Sequence, residues 1–124
     1  MTNVLAGLFA DKDSDVRRIA ASALGSIGKS DKSVINGLVG LLADKDLSVR
    51  SSAASALGSI GKSDESVING LVALLVDKES DVRSRAASAL GSIGKSDESV
   101  INGLVALLAD KDLSVRSSAA SALG

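Results

Sequence analysis

Neither cysteine nor histidine occurs among the 124 residues of this chain. Without cysteine there are no disulfides, no thiolate nucleophile and no thiolate-held metal, and the redox compartment is left open. Without histidine, the commonest general base and the commonest transition-metal ligand are gone. Tryptophan and tyrosine are also missing and Phe9 is the single aromatic residue, so the interior has to be built from alanine, leucine, valine and isoleucine. Side chains of that size let helices come close. Long apolar runs are lacking too: Leu71 to Val76 falls far short of the ~20 residues that span a bilayer. The opening MTNVLAGLFADKD has no basic leader and meets acids early, unlike a secretory signal. The expectation is a soluble, cytoplasmic chain with no membrane partner.

What is present is balanced. Fourteen basic residues face fifteen acidic ones, for a net charge of −1, and 45% of the residues are hydrophobic. That is the profile of one globular domain.

The chain is organised around a stretch that is not unique. Asp44 to Gly61, DKDLSVRSSAASALGSIG, returns as Asp77 to Gly94 and has an earlier copy at Asp11 to Gly28, with a shorter one at Asp110 to Gly124. Recurrence at a fixed period marks a stacked repeat, whose units cannot bury their apolar faces alone. The units fall at about 1–29, 30–62, 63–95 and 96–124, the first and last truncated, in a single domain.

Each unit reads as two helices. In the first, helix A (about Ser33 to Ala43), Val34, Leu38, Leu41 and Leu42 recur at helical spacing, with Ile35 and Val39 beside them. Ser30, Asp31 and Ser33 signal its start, as do Ser63, Asp64, Glu65 and Ser66 in the next copy. Met1 to Ala10 aligns with Val34 to Ala43 as a shortened first helix A, which Thr2 or Asn3 would cap. Gly37, Gly70 and Gly103 lie inside helix A, each costing ~1 kcal/mol relative to alanine. Close contact with a neighbouring helix would outweigh that cost. The alternative is a turn at Asn36-Gly37, although the apolar residues on both sides keep one helical phase.

Asp44, Lys45 and Asp46 form a tight polar connection, and Asp46, like Asp13, Glu79 and Asp112, is placed to cap helix B. In Leu47 to Ile60 the core stripe is Val49, Ala53, Ala56, Leu57 and Ile60, with the serines opposite or flanking it. Gly58 lies within the stripe, where it permits close approach, and Gly61 reads as a left-handed cap. The short links predict antiparallel neighbours. A longer rhythm runs through the copies: the second and fourth share DLSVRSSAA, whereas the first and third share SDVR followed by Arg18-Ile19 and Ser84-Arg85. Either a two-unit block was duplicated or near-consensus units were assembled deliberately.

The pattern Asp-x-x-Val-Arg-x-x-Ala-Ala-x-Ala-Leu-Gly-x-Ile-Gly, present as Asp46 to Gly61 and repeated, resembles HEAT-like repeats of the short, phycobilisome-lyase type. The resemblance covers essentially the whole chain and implies an all-α fold, a right-handed α-solenoid of four antiparallel helix pairs. It also implies a polar ladder through the stacked units, carried by Asp11, Asp44, Asp77 and Asp110 with Arg17, Arg50, Arg83 and Arg116. The family often has proline in helix A, where this chain has Asn36, Asn69 and Asn102. Helix A is therefore either straighter or begins differently.

Other chemistries fit less well. One arginine per unit suggests a phosphate-binding row, but nucleic acid needs net positive charge on one face, and single strands favour aromatic platforms. Asp11, Asp13 and Asp15 alternate like the start of a calcium loop, yet the glycine and distal glutamate of an EF-hand are missing, and helix capping accounts for them. Lys29-Ser30, Lys62-Ser63 and Lys95-Ser96 are linker residues rather than a preorganised Ser-Lys nucleophile. We expect no catalytic, cofactor-binding or metal-binding residues.

The resemblance implies that helix B lines the concave side. Its outward face holds Arg18, Ile19, Ser22, Ser51, Ser52, Ser55, Ser84, Arg85, Ser88, Ser117, Ser118 and Ser121. Two arginines among many serines predict weak protein binding. Neither terminal unit has been made polar, and solenoids normally carry polar caps. The expectation is a non-catalytic scaffold for protein partners, or a fragment or designed consensus of one. The alternative is a self-assembling module that associates end to end or by exchanging terminal helices.

Overall fold

The structure is a computed structural model that describes residues 7–27, 31–61, 64–93 and 97–124. Among these residues there are seven α-helices, one short 3-10 turn and no strand. The turn, Leu8–Ala10, leads into α1 (Ser14–Ile27). Three helix pairs follow: α2 (Lys32–Leu41) with α3 (Leu47–Ile60), α4 (Glu65–Leu74) with α5 (Ser80–Ile93), and α6 (Glu98–Leu107) with α7 (Leu113–Leu123). This is an all-α solenoid. The residues suggested to cap the first helix A, Thr2 and Asn3, lie outside the described residues, as do Gly28, Gly94 and the Lys-Ser links.

Local chemistry sets the boundaries. Asp31, Asp64 and Asp97 each accept the amide two residues on, from Ser33, Ser66 and Ser99, at the starts of α2, α4 and α6. Helix A runs through Asn36-Gly37 without a turn and stops at Leu41 rather than Ala43. There the backbone tightens, with the amides of Ala43 and Asp44 donating to the carbonyls of Gly40 and Leu41. Asp46 caps α3 by accepting from the amides of Ser48 and Val49. Asp13 and Asp112 accept the amides of Asp15 and Ser114 in the same way. Glu79 differs: the start of α5 is tied through its backbone carbonyl, which accepts from Val82 and Arg83. Gly61 closes α3 at φ 73°, the left-handed conformation that glycine adopts freely.

The packing explains the alanines. B helices stack directly on one another (α1 on α3, α3 on α5, α5 on α7), whereas consecutive A helices touch sparsely. The side chains expected inside, Val49, Ala53, Ala56 and Leu57, are buried, while Ile60 is only half-buried. Helix B also buries Ala21, Ala54 and Ala87, all 0% exposed, which the predicted stripe left out. Each inner B helix meets its own A helix and two neighbouring B helices, so its apolar arc is wider than one stripe. Ser51 is a correction for the same reason. The sequence pattern puts it on the outward face, but it is buried, its hydroxyl donating to the Ser48 carbonyl at 3.2 Å.

Two kinds of glycine contact hold the units in register. Along the B stack, a methyl group on Gly25, Gly58 or Gly91 would come within 2.8–2.9 Å of the backbone of Ala56, Ala89 or Ala122. Glycine is required there by backbone proximity. Along the A stack, Gly37, Gly70 and Gly103 are notches that receive Phe9, Leu42 and Leu75 of the preceding unit. The glycines inside helix A are therefore filled by a neighbour's side chain, which offsets their helix cost.

Candidate functional site

The ladder forms between units, and its arginines are held from two sides. The Arg17 Nε and Nη2 atoms donate to the two carboxylate oxygens of Asp44 at 2.8 and 3.0 Å. Its Nη1 donates to the carbonyls of Asp11 and Lys12 in its own unit at 2.8 and 3.0 Å. Arg50 repeats this with Asp77 at 3.0 and 3.2 Å, and Arg83 with Asp110 at 2.8 and 3.0 Å. A planar guanidinium fits a carboxylate in this two-pronged way where an ammonium would not. Each rung is close to dry, with side chains 9% and 10% exposed.

The carboxylates are also held from below. The amides of Asp46, Glu79 and Asp112 donate to Asp44, Asp77 and Asp110 at 2.9 Å. Burial opposes ionisation of Asp44, but the Arg17 guanidinium and the Asp46 amide outweigh it and hold its carboxyl below the ordinary 3.8. The Arg83 guanidinium, aided by the Asp112 amide, does the same to Asp110. Asp112 is lowered too, chiefly by the Ser114 hydroxyl. In return, hydrogen bonding to Asp44 and Asp110 raises the pKa of Arg17 and Arg83 above the ordinary guanidinium value.

Two members of the expected ladder stand outside these rungs. The Asp11 carboxylate accepts the Asp13 amide at 2.9 Å and no arginine donates to it among the described residues, Arg17 bonding only the Asp11 carbonyl. Arg116 donates Nη1 to the Asp110 carbonyl at 2.7 Å and meets no carboxylate among them.

The B-helix face is continuous across units. Ile19, Ser22, Arg85, Ser88, Ser117 and Ser121 are exposed, while Arg18, Ser52, Ser55, Ser84 and Ser118 are half-buried. Several touch across the junctions: Arg85 Nη1 donates to the Ser55 hydroxyl at 3.1 Å, and the hydroxyls of Ser84 and Ser118 lie 2.7 Å apart. Arg18 leans on Asp15 at 3.6 Å, an exposed pair. A shallow depression marks each junction; the one lined by Ser55, Gly58, Ser59, Arg85, Ser88 and Ser92 holds about 240 Å³.

A helix pair in each of the second to fourth units, a close-packed B stack and an inter-unit Arg–Asp ladder constitute a recognisable architecture. The sequence profile of HEAT repeats matches residues 1–91 and 62–124. This chain belongs to the HEAT-repeat family.

Solved structures agree with that placement. One engineered protein superposes with a TM-score of 0.79 at 28% identity, over 98% of this chain and 60% of its own. A second gives 0.77 at 31% identity, over 98% and 62%. The complex of CpcE and CpcF of phycocyanin lyase from Nostoc sp. PCC7120 gives 0.87 at 21% identity, over 99% and 52%, and shares the fold. The HEAT-repeat chain thus spans between about half and three-fifths of the length of these neighbours. No curated protein sequence matches it.

Other candidate chemistry resolves into structure. Asp11 and Asp13 are occupied in capping successive backbone amides rather than converging on a cation position. Among the described residues no group of three or more acidic side chains is arranged to hold a metal, and no helix is long and apolar enough to cross a membrane. The sequence did not disclose which alanine each B-helix glycine would meet. The period of the repeat held that signal, because Gly25 and Ala56 lie on consecutive units at matching heights.

Proposed function

We propose that this HEAT-repeat chain is a non-catalytic scaffold that binds a protein partner along its B-helix face. The observation that carries the reading is the continuity of that face. Direct glycine–alanine contact merges four B helices into one surface, and the ladder fixes their register from the side. Backbones lie closer on the B side than on the A side, where an apolar side chain separates the helices, an arrangement that favours a stack bent with the B face inward. An inward-curving surface of serines with Arg18, Ile19 and Arg85 suits an extended partner or a helix better than a small molecule. Its depressions are smaller than the ~300 Å³ at which ligand pockets begin.

Catalysis has little support. A larger depression, about 630 Å³, lies at the ladder edge, where Arg50 and Asp77 are bonded to each other. The test is comparative capture of partners by the wild-type chain, by Arg18→Glu with Arg85→Glu on the B face, and by Asn36→Lys with Asn69→Lys on the exposed side of α2 and α4. Loss of partners only from the B-face variant supports the reading. Equal capture by all three forms refutes it.

A further inference from the structure

We propose that copies of this chain stack head to tail, the face formed by α6 and α7 of one copy receiving the α1 face of the next, joined by an Arg116–Asp11 rung. This goes beyond partner binding on the B face, because it concerns a different surface and a second copy of the same chain.

Comparing equivalent positions shows what the α6–α7 face is shaped to receive. Ile35 and Ile68 are 2% and 3% exposed, and their equivalent Ile101 is 38%. Leu42 and Leu75 are 4% and 2% exposed, seated in the notches of Gly70 and Gly103, whereas Leu108 is 43% exposed. Ala54 and Ala87 are fully covered, and Ala120 is exposed. Inside the molecule, positions of these three kinds are covered by the following unit of the same repeat.

Charge says which surface fits. Arg116 is already oriented by its Nη1 bond to the Asp110 carbonyl at 2.7 Å, the bond that Arg83 makes to Asp77 at 2.8 Å. Among the described residues its Nε and Nη2 edge, which in Arg17, Arg50 and Arg83 grips the next unit's aspartate, meets no carboxylate. Asp11 is oriented to match: it holds the Asp13 amide at 2.9 Å, as Asp110 holds that of Asp112. The two halves of a rung are thus both preset, one on each face. Shape follows the same logic. Ile19 stands where Arg85 and Ser118 reach back to the preceding unit, and it is 57% exposed. Ala23, the equivalent of Ala56 and Ala89, is only half-buried.

The alternation of the copies supports the same pairing. Placing the fourth unit before the first repeats the even-to-odd junction already formed between the second and third. The two faces differ, so the contact is heterologous and propagates to a ring or an open filament.

Sedimentation of the 12.4 kDa chain over a concentration series tests the proposal. The expected result is a mass that climbs through dimer and trimer, with association weakened at least tenfold in Arg116→Glu and in Asp11→Lys. Mixing those two variants leaves a native Arg116–Asp11 contact at one junction and pairs the two introduced, opposite charges at the other, so the mixture is expected to regain association in strict alternation. Should Asp11→Lys fail to fold, Ala120→Lys sets a charge where Ala54 and Ala87 are covered by the following B helix, and is expected to weaken association as much. A strict monomer throughout the series, wild-type association by all the variants, or protection of a surface other than these two in hydrogen exchange would overturn it.

Discussion

Arginine at the second turn of helix B carries more of the junction than any serine beside it. Removing Arg50 or Arg83 leaves a nearly dry aspartate with only a backbone amide as donor, and takes the side-chain donor from carbonyls of the arginine's own unit. We expect Arg50→Ala and Arg83→Ala to cost about 2 kcal/mol or more, while Ser52→Ala stays within ~0.5 kcal/mol. Urea denaturation decides this, and equal midpoint shifts for the three would remove the ladder as a stabilising element. The same rungs give a pH dependence. Asp44 and Asp110 titrate lower in the folded chain than in the unfolded one, so their contribution is complete above the unfolded value of ~3.9. It disappears as pH falls through the depressed folded values. Thermal midpoints should therefore drop steeply below about pH 4, and Asp110→Asn should lower the neutral-pH midpoint while flattening the acid loss. An unchanged acid profile in that variant would place the acid sensitivity elsewhere.

Between helices, glycines of one composition do three different jobs, and alanine substitution separates them. At Gly58 a methyl would sit 2.9 Å from the Cα of Ala89, and backbone cannot step aside. At Gly70 it would meet the tip of Leu42, which can turn away, and at Gly40 it would meet nothing within 4 Å. We expect Gly40→Ala to stabilise by ~0.5 to 1 kcal/mol through helix propensity alone. Gly58→Ala should destabilise by ~1 kcal/mol or more despite the same propensity gain, because overpacking costs ~1 to 3 kcal/mol. Gly70→Ala should fall between them. The order of the three melting temperatures checks the assignment, and a stabilising Gly58→Ala would contradict the tight B stack. At this scale the caps, the helix phases and Gly61 were legible, since each depends on residues within one turn. The burial of Ala54 and Ser51 was not. A single helix shows its strongest apolar stripe, whereas a helix pressed between two copies of itself is covered on flanks where small residues leave little pattern. Which aspartate each arginine grips was likewise open, because each has an intra-unit candidate six residues before it and an inter-unit candidate 27 residues after it.

Across the whole molecule, periodicity and the family pattern made the all-α solenoid readable from the sequence, whereas the proposed binding face was marked only weakly. Repeats conserve what every junction needs, namely Gly58 with Ala89, Leu42 with Gly70, and Arg50 with Asp77. A binding surface is written in departures from the repeat, and here these are few: Arg18, Ile19 and Arg85 on the B helices. The junction itself has a further consequence. Every boundary uses the same glycine seat and arginine clasp with an apolar knob, Phe9 at the first and leucine at the others, so a cut at one boundary leaves ends that match any other. Excising residues 44–76 splices Ala43 to Asp77 and sets Arg17 opposite Asp77 in the place of Asp44. Such a shortened chain should still fold cooperatively, with a lower melting temperature and unaltered spacing between the surviving helices. Length is then an adjustable dimension of this protein, altered in whole modules as beads are taken from a string.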